Sequence, residues 1–115
     1  MHELSIVMSI VELAEEELAT RQGATVQSVH LRLGHLCGVS REALESCYEM
    51  ACFESRLAGS RLIIEDVPVS VHCPSCGEIR QLDSIQLFRC PVCGDAVSDV
   101  VSGKELQLVA LEILE

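Results

Sequence analysis

Two pairs of cysteines dominate the chemistry that this sequence could perform. Cys73-Pro74-Ser75-Cys76-Gly77 and Cys90-Pro91-Val92-Cys93-Gly94 repeat one C-P-x-C-G knuckle, with residues 77–89 between the inner cysteines. Two thiolates three positions apart in a tight turn can both face one ion, and the glycine permits the backbone to turn behind them. Two such turns supply a closed tetrahedral shell of four sulfurs and leave no coordination position for a substrate. The ion that suits this shell is structural Zn2+, since a segment this short has too little core to fold without a metal. A zinc tetrathiolate carries net negative charge, which backbone N–H donors must help to hold. Iron, as in rubredoxins, takes the same tetrahedral geometry. A redox dithiol is the weaker reading, because a lone C-x-x-C suggests it whereas two pairs suggest a shared ion.

The second constellation is Met1-His2-Glu3-Leu4-Ser5, an imidazole one residue from the chain's first amine and directly before a helix. A residue as large as His2 should leave the initiator methionine in place. The α-amine, the deprotonated amides of His2 and Glu3, and the His2 imidazole form a planar nitrogen set that suits Ni(II) or Cu(II) and not tetrahedral zinc. A solvated terminus is the plain alternative for a histidine at this position.

Composition bounds what these groups can serve. A chain of 115 residues fits one ordinary domain, or one small domain with a metal-held appendage, and excludes a large multidomain enzyme. Eight Lys and Arg against eighteen Asp and Glu give a formal charge of −10, which repels phosphate backbones, and 3% aromatics leave little for base stacking. Nucleic acid is therefore not an expected partner. Glu12, Glu15, Glu16 and Glu17 interrupt the longest apolar stretch, so no membrane span is expected. No basic region precedes an apolar stretch as in a secretory signal, and seven cysteines with two C-x-x-C pairs read as metal ligation in a reducing compartment. The expected location is cytoplasmic.

The elements that must position these groups follow from periodicity. From Glu3 to about Arg21 the apolar residues Leu4, Val7, Val11, Ala14 and Leu18 recur at helical steps, and Gly23 stands where a left-handed cap would end the helix. Gln27 to Leu33 alternates Val29, Leu31 and Leu33 against Ser28, His30 and Arg32, which predicts a strand with one buried and one wet face. Ser40 is a good N-cap for a second helix in which Leu44, Cys47 or Tyr48, Ala51 and Ser55 share a face, closed by Gly59. Arg61–Val67 reads as a strand ending before Pro68, and Leu106–Leu114 as another. Between them the composition turns to cysteine, proline and glycine. Strand, helix and strand in series favour a right-handed parallel crossover, with the last strand returning antiparallel. The expected fold class is α+β: a three-stranded mixed sheet with two helices on one face and an inserted zinc-ribbon-like lobe. Residues 1–69 and 99–115 make the main domain and 70–98 the lobe.

The M-H-E-L-S start, this element order, Leu62 to Pro68, the two knuckles and the G-K-E-L-Q-L-V-A-L-E-I run from Gly103 to Ile113 together resemble the HypA/HybF family of hydrogenase-maturation nickel metallochaperones. The resemblance covers essentially the whole chain. It implies a nickel site carried by His2, with Met1 and Glu3 supplying backbone nitrogens, and a structural zinc site carried by Cys73, Cys76, Cys90 and Cys93. It implies Ni2+ as cargo for the large subunit of a [NiFe] hydrogenase and a nickel-binding GTPase as partner, which Glu3 could contact. Some members also imply urease accessory proteins as partners. The rival readings are a rubredoxin-like iron electron carrier and a zinc-ribbon interaction adaptor.

Other reactive side chains have plainer roles. His30 on a strand's polar side and His35 in a glycine-flanked loop read as exposed, and His72 as a neighbour of the zinc shell. Cys37, Cys47 and Cys52 lack ligand spacing and read as apolar-like thiols. Glu15-Glu16-Glu17 reads as a solvated helix face. No glycine-rich phosphate loop is present, and no Ser or Cys has a His at motif spacing, so the chain is not expected to be an enzyme.

Overall fold

The computed structural model describes residues 3–115. Helix α1 spans Glu3–Ala19 and buries Val7, Ile10, Val11, Ala14 and Leu18. Leu4, expected on that face, is exposed, and Ile10 broadens the stripe instead, as a helix lying on a core requires. The helix closes two residues early, because Thr20 and Arg21 N–H groups bond back to the Glu17 and Leu18 carbonyls in a tightened last turn. Helix α2, Arg41–Cys52, starts where Ser40 predicts: its Oγ accepts from the Ala43 N–H at 3.2 Å. Leu44, Tyr48 and Cys52, four residues apart, form its buried stripe. Ser55 lies past the helix end, where its hydroxyl donates to the Cys52 carbonyl. The two helices pack against each other.

Strands β1 (Thr25–Gly34), β2 (Arg61–Val67) and β6 (Leu106–Leu114) form a mixed sheet in the order β2-β1-β6, with both helices on one face. α2 lies between β1 and β2 in the chain while the two strands are neighbours in the sheet, as a crossover demands. The central strand carries the core through Val29, Leu31 and Leu33. Its other face is less wet than the alternation predicts. Ser28 is buried because its hydroxyl is engaged by Glu112 on β6. β6, despite its continuous aliphatic sequence, is an edge strand in which no residue is fully buried.

The cysteine-rich insertion, which showed no strand periodicity, contains a second sheet. β3 (Ser70–Cys73), β4 (Glu78–Gln81) and β5 (Asp99–Ser102) run in the order β4-β3-β5, antiparallel throughout. Four-residue strands are too short to display a period, so only their pairing reveals them. The chain divides into two compact units, one of residues up to Leu31, Gly38–Glu65 and Gln107–Glu115, the other of Arg32–Cys37 and Asp66–Leu106. The first is cored by side chains such as Leu18, Leu44 and Leu57, each at most 1% exposed. The second is cored by Val69, Val71, Cys73, Leu82, Cys90 and Val97, with two of the four knuckle cysteines inside its apolar cluster.

Two glycines fix a backbone crossing within the second unit. The Gly34 N–H donates to the Glu105 carbonyl and the Leu36 N–H to that of Gly103, both at 2.7 Å. A Cβ at Gly34 would stand 2.1 Å from the Gly103 carbonyl oxygen, closer than any side chain tolerates. Gly103 has φ +114°, a backbone conformation that other residues rarely adopt.

Candidate metal centre

The first knuckle is the turn joining β3 to β4. Cys73 ends β3 and is fully buried, and the Gly77 N–H closes the turn on the Cys73 carbonyl at 2.8 Å. The second knuckle repeats this geometry: the Gly94 N–H bonds to the Cys90 carbonyl at 2.9 Å. Gly77 and Gly94 take φ of +70° and +80°, which accounts for a glycine after each pair. The second turn is held in a short antiparallel frame, since Arg89 bridges Ala96 and the Cys90 N–H donates to the Asp95 carbonyl. The Ser75 hydroxyl donates to the Asp95 carboxylate and ties one knuckle to the other.

All four Sγ atoms lie within 4.8 Å of one another. Cys73 and Cys93 sulfurs are 3.6 Å apart, and those of Cys76 and Cys90 are 3.8 Å apart. With Zn–S bonds of about 2.3 Å, a tetrahedron has sulfur–sulfur edges of about 3.8 Å, so the donor set fits zinc. Charge points the same way. The backbone N–H of Cys93, aided by that of Val92, brings the Cys90 thiol down to about 6. The Asp95 N–H likewise favours the Cys93 thiolate, but desolvation and the sulfurs of Cys73, Cys90 and Cys76 outweigh it and push that thiol up to about 12. Four sulfurs this close cannot all ionise without a cation among them.

A residue that spacing did not reveal also faces the cluster. Arg80 on β4 pairs with Val71 in the β3–β4 register, and the sulfurs of Cys76 and Cys90 favour the charged form of its guanidinium. The available signal was a basic residue between two thiolate pairs in an acidic chain; the strand register was needed to place it.

Of the predicted nickel residues, Met1 and His2 lie outside the described residues. Glu3 opens α1, and its Oε2 stands 3.5 Å from the Ser40 N–H at the start of α2. Its carboxylate thus complements the positive end of that helix. The remaining candidates stand apart from the sulfurs. His30 Nε2 lies 2.6 Å from Glu112 Oε1, His72 Nδ1 4.0 Å from Asp99 Oδ2, and His35 lines a groove with Pro68, Asp83 and Ile85. Cys37 and Cys47 are half-buried and Cys52 is buried, none of them in the four-cysteine cluster.

Fold and cluster together define a small α+β protein with a four-cysteine cluster that could hold a metal ion in a zinc-ribbon-like unit. Residues 1–113 match a family model described as "Hydrogenase/urease nickel incorporation, metallochaperone, hypA". A hydrogenase maturation factor HypA of Roseiflexus sp. strain RS-1 is 49% identical over 97% of this chain and 91% of its own length. Its counterpart from Geobacter metallireducens is 40% identical over 98% and 99%. The solution structure of the Ni metallochaperone HypA from Helicobacter pylori superimposes with a TM-score of 0.63 at 27% identity, covering 99% of this chain and 98% of that one. The chain belongs to the HypA family of hydrogenase maturation factors.

Proposed function

We propose that this chain is a nickel metallochaperone that binds Ni(II) at its N-terminus and delivers it during maturation of a [NiFe] hydrogenase. The observation that carries the reading is the family match across residues 1–113, which takes in both the M-H-E start and the four-cysteine cluster. Nickel is the cargo. Met1, His2 and Glu3 would hold it through nitrogens: the α-amine, the two amides and the imidazole. Such a site is suited to transfer, because it opens when its amides regain protons. Cys73, Cys76, Cys90 and Cys93 would hold the structural Zn2+, and the zinc-binding lobe of residues 70–98 falls within the second compact unit.

The chain would act through protein contacts and not through turnover. Its partners would be a nickel-binding GTPase and the hydrogenase large subunit, with urease accessory proteins as a further route suggested by the family's description. The cytoplasm would be its place of work. No described helix is long and apolar enough to cross a membrane. A rubredoxin-like iron carrier would share the sulfur shell but would give no role to His2.

Complementation tests the delivery step. In a host lacking its own copy, the wild-type chain should restore nickel-dependent hydrogenase activity, and His2→Ala should not unless excess nickel is supplied. Full restoration by His2→Ala at trace nickel would refute N-terminal delivery.

A further inference from the structure

Three side-chain donors outside the cysteine cluster meet on the main sheet. Ser28 and His30 lie two positions apart on β1, a spacing that sets both on one side of a strand, and Glu112 reaches them from the neighbouring β6. The Ser28 hydroxyl donates to Glu112 Oε1 at 2.6 Å. His30 Nε2 lies 2.6 Å from that same oxygen and 3.1 Å from the Ser28 Oγ. An imidazole nitrogen, a hydroxyl oxygen and a carboxylate oxygen thus form a closed triangle. At most two protons hold it together, that of the hydroxyl and the one that Nε2 can carry.

A divalent cation can take the place of those protons. Metal bonds of about 2.1 Å to imidazole nitrogen and carboxylate oxygen set adjacent ligands of an octahedron about 3.0 Å apart. Edges of 2.6, 2.6 and 3.1 Å need to open by only a few tenths of an ångström to form one face of that octahedron. The donors are one nitrogen and two oxygens, a set that suits a first-row ion keeping part of its water, unlike the closed shell of four soft sulfurs. Water has access to the opposite face, since the His30 and Glu112 side chains are 32% and 58% exposed and Glu112 lines an open groove with Ser28, Gln27 and Arg61. Ser28 itself is buried, which fixes one corner of the triangle. The positive charge of Arg61 in the same groove opposes a cation, so the ion would be held loosely.

We propose that Ser28, His30 and Glu112 form a second, open site for a divalent first-row cation such as Ni2+, bound octahedrally by three side chains and water. The site needs neither a deprotonated amide nor a thiolate, so it is independent of the N-terminal nitrogens and of the four sulfurs. It is weaker than a planar nitrogen set and fills only after that set is occupied.

The test titrates Ni2+ into the full zinc-loaded chain carrying His2→Ala, which removes the planar set, and follows amide signals by NMR. Octahedral Ni(II) is paramagnetic and broadens the signals around it. Broadening should begin at Ser28, His30 and Glu112. Added to that background, His30→Gln and Glu112→Gln should each weaken binding about tenfold or more, since even changes outside the ligand shell of a metal site cost that much. Both side chains are partly exposed, so the substitutions spare the core, and Ser28→Ala is a third probe should either variant not fold. Broadening that spreads instead over Glu15, Glu16 and Glu17, or an affinity that neither substitution changes, overturns the proposal.

Discussion

At the scale of single residues, hydrogen bonding decides which polar groups the fold depends on. Ser28, His30 and Glu112 converge on one point: the Ser28 hydroxyl donates to Glu112 Oε1 at 2.6 Å, and His30 Nε2 reaches the same oxygen at 2.6 Å. The Ser28 hydrogen bond, then that of His30, holds the Glu112 carboxyl below its ordinary range. A carboxylate with a depressed folded pKa stabilises the native state above its unfolded value of about 4.3 and loses that contribution as pH falls through the lower folded value. Glu112→Gln should therefore lower the urea midpoint at neutral pH and flatten the acid limb of the stability curve. An acid limb unchanged by the substitution would contradict this reading. The free thiols differ for a related reason. Burial pushes the Cys52 thiol up, with Tyr48 and Ser60 acting against it, whereas Cys37 and Cys47 are only half-buried. In zinc-loaded protein at neutral pH, alkylation should reach Cys37 and Cys47 well before Cys52, as peptide mass mapping would show.

At the scale of elements, caps and close approaches set the boundaries. Ser40→Ala removes the side-chain acceptor for the Ala43 N–H and should cost about 1 kcal/mol in chemical denaturation. Gly34→Ala should cost about 3 kcal/mol or more, because its Cβ would overlap the Gly103 carbonyl with only backbone to yield. A near-neutral Gly34→Ala would mean that the crossing is not as tight as described. These two positions also mark how far the sequence could be read. Ser40 and the strands Arg61–Val67 and Leu106–Leu114 were legible because each signal, a cap or a branched run before Pro68, is local. The second sheet was not, since each of its strands has four residues and its register is set by the knuckle turns. Gly34 looked like a loop glycine; its constraint comes from Gly103, far away in the chain. That the four knuckle cysteines would converge was legible from their spacing.

At the scale of the whole molecule, the candidate metal shell and an apolar core overlap. The second unit has a six-residue buried cluster that includes Cys73 and Cys90, so its apolar core and its candidate metal shell share atoms. Stripping zinc with a strong chelator should therefore abolish hydrogen-exchange protection at β3 amides such as Val71, while amides of α1 and α2, in the first unit, keep most of theirs. Equal protection at Val71 before and after stripping would show that the apolar cluster suffices alone. On the proposed reading the structural metal would leave a separate set of donors, Met1, His2 and Glu3, for the cargo, which is the central claim. It is tested most directly by titrating nickel into zinc-loaded protein with an unblocked Met1, beside His2→Ala, using calorimetry and visible absorption. The account predicts one Ni(II) per chain with a planar-type spectrum that disappears in the variant. Nickel binding that is undiminished in His2→Ala, or that displaces zinc from the thiolates, would contradict it.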